Sequence, residues 1–106
     1  MPLPDITHLQ CLLLTALLDS ERPGRELRDL LAQEGHRKSG PSFYQLMSRL
    51  EDAKFVKGRY DQKVVEGQII KERVYKITAS GSAAVAAVRE FYAMLEQPRI
   101  PGVEGV

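Results

Sequence analysis

Apolar residues near the start of the chain recur at helical intervals and predict a first helix over residues 6–18. Asp5, just before it, is suited to be the N-cap. One side of this helix carries Ile6, Leu9, Leu13, Ala16 and Leu17, and the other side carries Leu12, Leu14 and Leu18. A helix that is apolar nearly all round must be buried on two sides. In so short a chain, this favours burial of the second side against a partner subunit.

Two further helices are predicted before residue 54. Pro and Gly in residues 19–24 interrupt the first helix, and residues 25–34 form the second, with Leu27, Leu30 and Leu31 inward and Gly35 directly after its end. The third helix starts at Pro41 with Ser39 or Gly40 as its cap, or else starts after Ser42 with Gln45 as its capping-box partner.

The third helix has an apolar side and a polar side. The apolar side is predicted to be buried and carries Phe43, Leu46, Met47, Leu50 and Ala53. The polar side is predicted to face outward and carries Ser42, Gln45, Ser48, Arg49 and Asp52, with Tyr44 at its margin. Short polar side chains allow this side to approach another surface closely.

The pattern changes to an alternation of period two from Phe55 onward, which predicts a strand. A second β-rich run covers residues 69–78, and Glu66-Gly67 between the runs predicts a hairpin turn that pairs Val65 with Gln68. Thr78 then caps a last helix from Ala79 to about Gln97. Its predicted stripe carries Ala84, Val88, Phe91 and Leu95.

Charge is distributed unevenly along the 106 residues. The net charge is only +1, but residues 1–34 carry −3, residues 35–76 carry +5 and residues 77–106 carry −1. This asymmetry suggests a basic face on the third helix and the ribbon. A solvated basic surface without a partner would give the same charge pattern.

The order helix, helix, helix, β-ribbon, helix is that of a winged helix-turn-helix domain. The predicted fold class is therefore α+β, mainly α, with three helices, a two-stranded β wing and a long C-terminal dimerisation helix. Arg37, Lys38 and Ser39 precede the third helix, whose free N–H groups favour an anion such as phosphate. Gln45, Ser48 and Arg49 are residue types that hydrogen-bond to base edges.

Three stretches at the right spacing resemble the PadR family of bacterial transcriptional regulators. Residues 24–27 (GREL) are similar to the opening of the family's second helix, and residues 42–51 (SFYQLMSRLE) are similar to its recognition helix. Residues 73–81 (RVYKITASG) are similar to its strand-to-helix motif, which other winged-helix families share. The chain departs from the family at Arg25, which replaces a Tyr, and at residues 53–55, which replace a Glu-Gly-Leu type of turn.

The resemblance implies a homodimeric, DNA-binding repressor whose last helix packs against the first helix of its partner. It implies DNA contacts by Ser42, Tyr44, Gln45, Ser48 and Arg49, and phosphate contacts by the wing cations Lys63, Lys71 and Arg73. The residues expected at the dimer interface are Leu9, Leu12, Leu14, Leu18, Val88, Phe91, Tyr92 and Leu95. Some members stack flat ligands on tryptophan, which this chain lacks.

Other classes of function find little support in the sequence. No nucleophile-elbow or phosphate-loop spacing is present, so an enzyme is not expected, and no cofactor is predicted. His8 and His36 are expected to be isolated surface histidines, and the lone Cys11 a small core or interface residue. With no secretory or membrane-spanning pattern, we expect a cytoplasmic protein with a single domain over residues 1–97 and a flexible tail over residues 98–106.

Two alternatives to a simple operator-binding regulator remain open. The ribbon tip carries Val64, Val65, Ile69 and Ile70, so the fold could be a protein-interaction module without direct DNA binding. A small-molecule effector, bound in a cavity between the helices of the dimer, could also control DNA binding.

Overall fold

A computed structural model describes residues 3–96, which form four helices and a three-stranded antiparallel sheet. The elements are α1 (His8–Ala16), β1 (Arg22–Pro23), α2 (Gly24–Gln33), α3 (Gly40–Asp52), β2 (Val56–Val65), β3 (Gln68–Ile77) and α4 (Ala79–Glu96). The predicted winged-helix order and the mainly helical α+β class are confirmed. The predicted tail and the end of the last helix at Gln97 lie outside the described residues.

The start of α1 differs from the prediction by two residues. Thr7, not Asp5, is the N-cap: its side chain accepts a hydrogen bond from the Gln10 amide at 3.2 Å, and the Thr7 amide donates to Gln10 Oε1 at 2.9 Å. This reciprocal pair satisfies two amides at the helix start, which Asp5 alone could not do. The prediction of Asp5 as the cap was therefore wrong.

Both α2 and α3 end in the same backbone motif. After α2, the amides of Gly35 and His36 donate to carbonyls in the last turn, and Gly35 has a φ of 85°, which confirms its predicted position. After α3, the amides of Lys54 and Phe55 make the equivalent bonds, with Lys54 at a φ of 67°. The same motif thus uses glycine once and a lysine in the left-handed region once.

The start of α3 decides between the two sequence alternatives. Ser39 is the N-cap, and its hydroxyl accepts a hydrogen bond from the Ser42 amide at 3.3 Å, with Pro41 in the first turn. Because Ser42 already lies within the helix, the alternative in which it is the cap is wrong.

The β-ribbon has the predicted turn and one strand more than predicted. Val65 pairs with Gln68, and the two turn residues between them, Glu66 and Gly67, both have positive φ, as a type I′ turn requires. The extra strand is β1, which pairs Arg22 with Tyr75 at the base of β3. Two residues, one of them proline, carry too little alternation to be recognised as a strand in sequence.

The core lies between the first three helices and the base of the sheet. Its most buried large side chains are Leu13, Leu14, Leu17, Leu27, Leu31, Phe43, Met47, Leu50, Tyr75 and Val85. Leu13 and Leu14 point to different sides of α1, and both have no exposed surface. Leu14 is thus enclosed within the subunit, whereas Leu12 and Leu18 of the same predicted side are half-buried, so Leu14 was wrongly predicted to contact a partner. Ala53, predicted in the buried stripe of α3, is exposed because it follows the last helical turn.

The start of α4 is held against the turn after α3. The Thr78 hydroxyl donates to the Lys54 carbonyl at 2.7 Å and accepts from the Gly81 amide at 3.0 Å, and the Thr78 amide donates to the Phe55 carbonyl at 3.0 Å. A Cβ on Gly81 would lie 2.2 Å from the Phe55 carbonyl oxygen, so only glycine allows this approach. These contacts explain the spacing of threonine and glycine in the strand-to-helix motif.

Only the first half of α4 packs against this core. Ala84 and Val85 are buried and Val88 is half-buried, whereas Phe91 and Leu95 are exposed. The predicted apolar stripe of α4 is therefore covered only at its beginning within the subunit.

Candidate nucleic-acid interface

The outward side of α3 is a continuous polar surface. Its predicted residues Ser42, Tyr44, Gln45, Ser48 and Arg49 are all exposed, while the opposite side of the helix is buried. The helix therefore presents hydroxyl, amide and guanidinium groups to a neighbouring surface, the types that recognise base edges and phosphates.

Tyr44 is partly fixed by packing at the edge of this surface. Its ring meets Phe43 edge to face at 5.1 Å between centroids, and a Cβ on Gly24 would lie 3.1 Å from the Tyr44 hydroxyl. Tyr44 remains 43% exposed. It therefore both covers the edge of the core and presents its hydroxyl near the polar surface.

The segment before α3 places two cations beside the N-terminus of the helix. Arg37 is exposed, and Lys38 is half-buried with its carbonyl accepting a hydrogen bond from Arg28 Nη2 at 3.2 Å. Pro41 has no N–H, and the amides of Ser42 and Phe43 already donate to the hydroxyl and the carbonyl of Ser39, so Gly40 contributes the free amide of the first turn. Positive charge and free N–H groups at a helix N-terminus favour an anion.

The β-ribbon has an inner face on the side of α3. The register pairs Tyr60 with Arg73 and Gln62 with Lys71, and directly paired residues lie on the same face of a ribbon. Tyr60, Lys71 and Arg73 line a polar groove of about 470 Å³ together with Tyr44 and Ser48 of α3. The predicted recognition helix and the predicted wing thus meet along one groove.

The opposite face of the ribbon, which we call the outer face, carries Lys63. Lys63 Nζ lies 2.8 Å from a carboxylate oxygen of Glu72, and Arg25 Nε lies 2.6 Å from the other. The hydrogen bonds from Lys63 and Arg25 lower the pKa of Glu72 below its ordinary value. Lys63 was predicted to contact DNA together with Lys71, but the two lie on opposite faces, and the charge of Lys63 is already paired.

Arg73 is on the inner face but is also paired. Its Nη2 lies 3.0 Å from both carboxylate oxygens of Glu51 in the last turns of α3. The geometry therefore argues against the predicted role of Arg73 as a free phosphate contact. Among residues 3–96, Lys71 forms no ion pair and is the inner-face ribbon cation that can meet a phosphate.

Several residues of this groove were not singled out in the sequence. Glu51, Tyr60 and Tyr75 line it, and burial raises the pKa of the Tyr75 phenol to about 12. The hairpin register could have identified Tyr60, because the Glu66-Gly67 turn alone determines that Tyr60 lies opposite Arg73. No comparable sequence signal relates Glu51 to either strand.

Apolar side chains are exposed along the second half of α4. Phe91, Tyr92 and Leu95, predicted at the dimer interface, are 38%, 59% and 57% exposed, and Met94, which was not predicted, is 68% exposed. The other interface candidates that keep some exposure, Leu9, Leu12, Leu18 and Val88, are half-buried.

Two histidines expected to be isolated lie together. The rings of His8 and His36 meet edge to face with centroids 6.0 Å apart, so that expectation was wrong. Cys11 is half-buried on α1. Within the part of the chain that the structure describes, no three potential metal-ligating residues are clustered. Across residues 3–96, no helix has both the length and the apolar content needed to cross a membrane.

Solved structures with the same fold include regulators of transcription. A PadR family transcription regulator from Clostridium difficile R20291 matches with a TM-score of 0.72 over 86% of this chain and 93% of its own, at 14% identity. A PadR family regulator from Eggerthella lenta matches with a TM-score of 0.66 over 84% of this chain and 75% of its own, at 24% identity. RosR from H. salinarum matches with a TM-score of 0.68 over 90% of this chain and 80% of its own, at 20% identity.

These likenesses establish the fold: the chain has the winged-helix architecture of the PadR regulators. No protein-family model matches the sequence, and no curated protein is similar to it.

Proposed function

We propose that this protein is a DNA-binding transcriptional regulator of the PadR type, a repressor that binds a palindromic operator as a homodimer. The observation that carries the proposal is the groove where the polar side of α3 meets the inner face of the ribbon. In a winged-helix protein, the third helix enters the major groove and the wing lies along the backbone or in the minor groove. The exposed side chains of α3 and of the inner face of the ribbon carry hydroxyl, amide and cationic groups, which are the groups that contact base edges and phosphates.

Dimerisation is supported by the exposed apolar residues of α4. Phe91, Tyr92, Met94 and Leu95 form a run of large side chains that the subunit core does not cover. A run of this kind on a helix is typical of an interface. A twofold dimer would place two α3 helices in successive major grooves, about 34 Å apart along the duplex.

DNA binding is tested by fluorescence polarisation of labelled duplex at several salt concentrations. Each phosphate contact contributes about 0.9 to the slope of log affinity against log salt. We expect Lys71→Ala to lower the slope by about one per subunit, because Lys71 is the unpaired cation of the inner face. Lys63→Ala is the matched control: it removes the same charge from the same ribbon, but from the outer face, where Glu72 already pairs it.

Two results would contradict this assignment. Binding by the wild-type protein that is independent of salt would remove the phosphate contacts on which the proposal depends. Equal slopes for the Lys71→Ala and Lys63→Ala variants would mean that the inner face of the ribbon does not meet the backbone.

Sequence-specific recognition is tested by in vitro selection of duplexes by the purified protein. We expect a palindromic motif with half-sites one helical turn apart. Gln45→Ala and Arg49→Ala should each relax the preference at particular base positions, with a loss of about 1–3 kcal/mol for a bidentate base contact. A selection that enriches no motif, or one without twofold symmetry, would contradict the operator and dimer parts of the proposal.

A second candidate function is protein docking through the ribbon tip. Val64 and Ile69 pair across the ribbon and are 74% and 71% exposed, which is unusual for large aliphatic side chains on a charged ribbon. Ile69→Glu separates the two functions. If this variant binds duplex with wild-type affinity and fails to regulate in cells, the tip serves a protein partner; if duplex affinity falls, the tip belongs to the DNA interface.

A further inference from the structure

One ion pair joins α3 to the base of the ribbon. Arg73 Nη2 on β3 lies 3.0 Å from Oε1 and 3.0 Å from Oε2 of Glu51 on α3. The two side chains are only 24% and 29% exposed. An Arg–carboxylate pair with this degree of burial is screened less by water and salt than a surface pair, so it constrains geometry more strongly.

Aromatic rings hold the guanidinium of Arg73 on its other sides. Its Cζ lies 4.8 Å from the centroid of Tyr60 and 5.8 Å from that of Tyr75. Partial burial lowers the pKa of Arg73, but the hydrogen bond and the charge of Glu51 outweigh it and raise the pKa. Arg73 is thus a permanently charged group whose partner is supplied within the subunit.

Gly58 provides the space in which the pair forms. A Cβ on Gly58 would lie 2.7 Å from both Arg73 Nη2 and Glu51 Oε1, where any other residue would displace them. Glycine weakens the interior of a strand and commonly marks a close approach by another group. Three elements, α3, β2 and β3, therefore each contribute one residue to the same contact.

The orientation of the ribbon depends on contacts at its base. From residue 62 to residue 71, every ribbon residue is exposed, so no core packing directs the outer half. Ten extended residues span about 33 Å, so a tilt of about 15° at the base would move the tip by roughly 8 Å. Functional groups must be held within about 0.5 Å and 10–20° to act together.

We infer that the Glu51–Arg73 pair, formed in the space that Gly58 leaves, is a positioning contact that sets the angle between recognition helix and wing. It thereby determines specificity for the operator without touching DNA. This inference rests on the proposed function, since it concerns how the same interface is aligned. It also gives Arg73 a role different from the phosphate contact that the sequence predicts.

The test measures two quantities in the whole protein for the wild type and for Glu51→Gln. The first is the ratio of affinities for the selected operator and for a random duplex. The second is the orientation of the ribbon amides relative to the α3 amides, from NMR residual dipolar couplings in the absence of DNA. We expect the ratio to fall about tenfold, equivalent to the loss of one base contact, and the ribbon couplings to change.

Further variants separate positioning from loss of charge or of folding. Asp61→Asn is the matched control, because it also neutralises one carboxylate but pairs only with Arg59 on its own strand and at 3.7 Å. It should leave the ratio and the couplings unchanged. Gly58→Ala perturbs the pair without altering charge and should reproduce the effect of Glu51→Gln. The double variant that combines Glu51→Arg with Arg73→Glu exchanges the two charged residues and should restore part of the lost specificity.

The outcomes are distinguishable. If Glu51→Gln lowers the ratio of operator affinity to random-duplex affinity and changes the ribbon couplings, the inference is supported. Unchanged ratio and couplings in both Glu51→Gln and Gly58→Ala overturn it. If Glu51→Gln instead tightens operator binding more than random binding, the released Arg73 contacts DNA directly, which also overturns it. A wild-type protein that binds no duplex overturns the proposed function and the specificity claim with it, and the couplings alone then show whether the pair orients the ribbon.

Discussion

The junction between α4 and the turn after α3 leads to a prediction for Gly81→Ala. In an open helix, this substitution would stabilise the protein by about 1 kcal/mol through helix propensity. Here the new methyl carbon would lie 2.2 Å from the Phe55 carbonyl oxygen and 2.7 Å from Ile77 Cγ1. An ordinary contact at 3.4 Å requires a movement of about 1 Å, and backbone atoms on both sides resist it.

The cost of that movement follows from the contacts it disturbs. Overpacking costs about 1–3 kcal/mol, and three hydrogen bonds of Thr78 at about 1 kcal/mol each are lengthened together. Because lengthened bonds lose only part of that energy, and the gain in propensity is subtracted, we expect a loss of about 3 kcal/mol. For a protein of this size that lowers the Tm by roughly 12–24 °C.

The assay is urea and thermal unfolding followed by circular dichroism, at one fixed protein concentration because the proposed dimerisation would make Tm depend on concentration. Gly40→Ala is the control: it also adds a methyl group to a helical glycine, but the nearest atom is Arg28 Nη1 at 3.8 Å. Because Gly40 is the first residue of α3, where helix propensity contributes less than in a helix interior, this variant should change the free energy of unfolding by less than about 0.5 kcal/mol. If Gly81→Ala is as stable as Gly40→Ala, the close approach of α4 to the turn is refuted.

Three further predictions follow from other contacts. Lys54→Gly should stabilise the protein by about 0.5–1 kcal/mol, because it relieves a left-handed residue at the end of α3, and an unchanged urea midpoint would contradict that strain. Glu72 has a lowered pKa in the folded state, so its pairs with Lys63 and Arg25 stabilise fully above the ordinary value of 4.5 and are lost as pH falls below it. Glu72→Gln should therefore lower the urea midpoint more at pH 7 than at pH 2.5, and an equal decrease at both would exclude the charge as the cause. Leu95→Glu should shift the proposed dimer to monomer in sedimentation with little loss of subunit stability, because that side chain is 57% exposed; an unchanged sedimentation coefficient would contradict the proposed role of α4 in dimerisation.

Most of the fold could be predicted from local patterns. The helical period and the capping residues located all four helices, and the Glu66-Gly67 turn determined the register of the whole ribbon. Misplaced boundaries had local causes: the pair of Thr7 with Gln10 competed with Asp5 as the start of α1. The strand at residues 22–23 was missed because two residues carry no periodicity.

The candidate site was predictable only in part. Exposure of Gln45, Ser48 and Arg49 follows from the apolar period of α3. The fate of each cation follows from the sequence only in part: the hairpin register places Lys63 on the face of Glu72 and Lys71 on the opposite face. Only the tertiary structure brings Glu51 of α3 to Arg73.

The sequence by itself therefore determined the four helices, the two long strands, the turn that joins them and the polar side of α3, since these depend on residues within a few positions of one another. Tertiary structure alone decided that Leu14 is enclosed within the subunit, that Glu51 meets Arg73 over Gly58, and that the core formed by the described residues 3–96 leaves Leu95 of α4 exposed. Those outcomes depend on the distance between residues that are far apart along the chain. A local pattern contains no information on that distance.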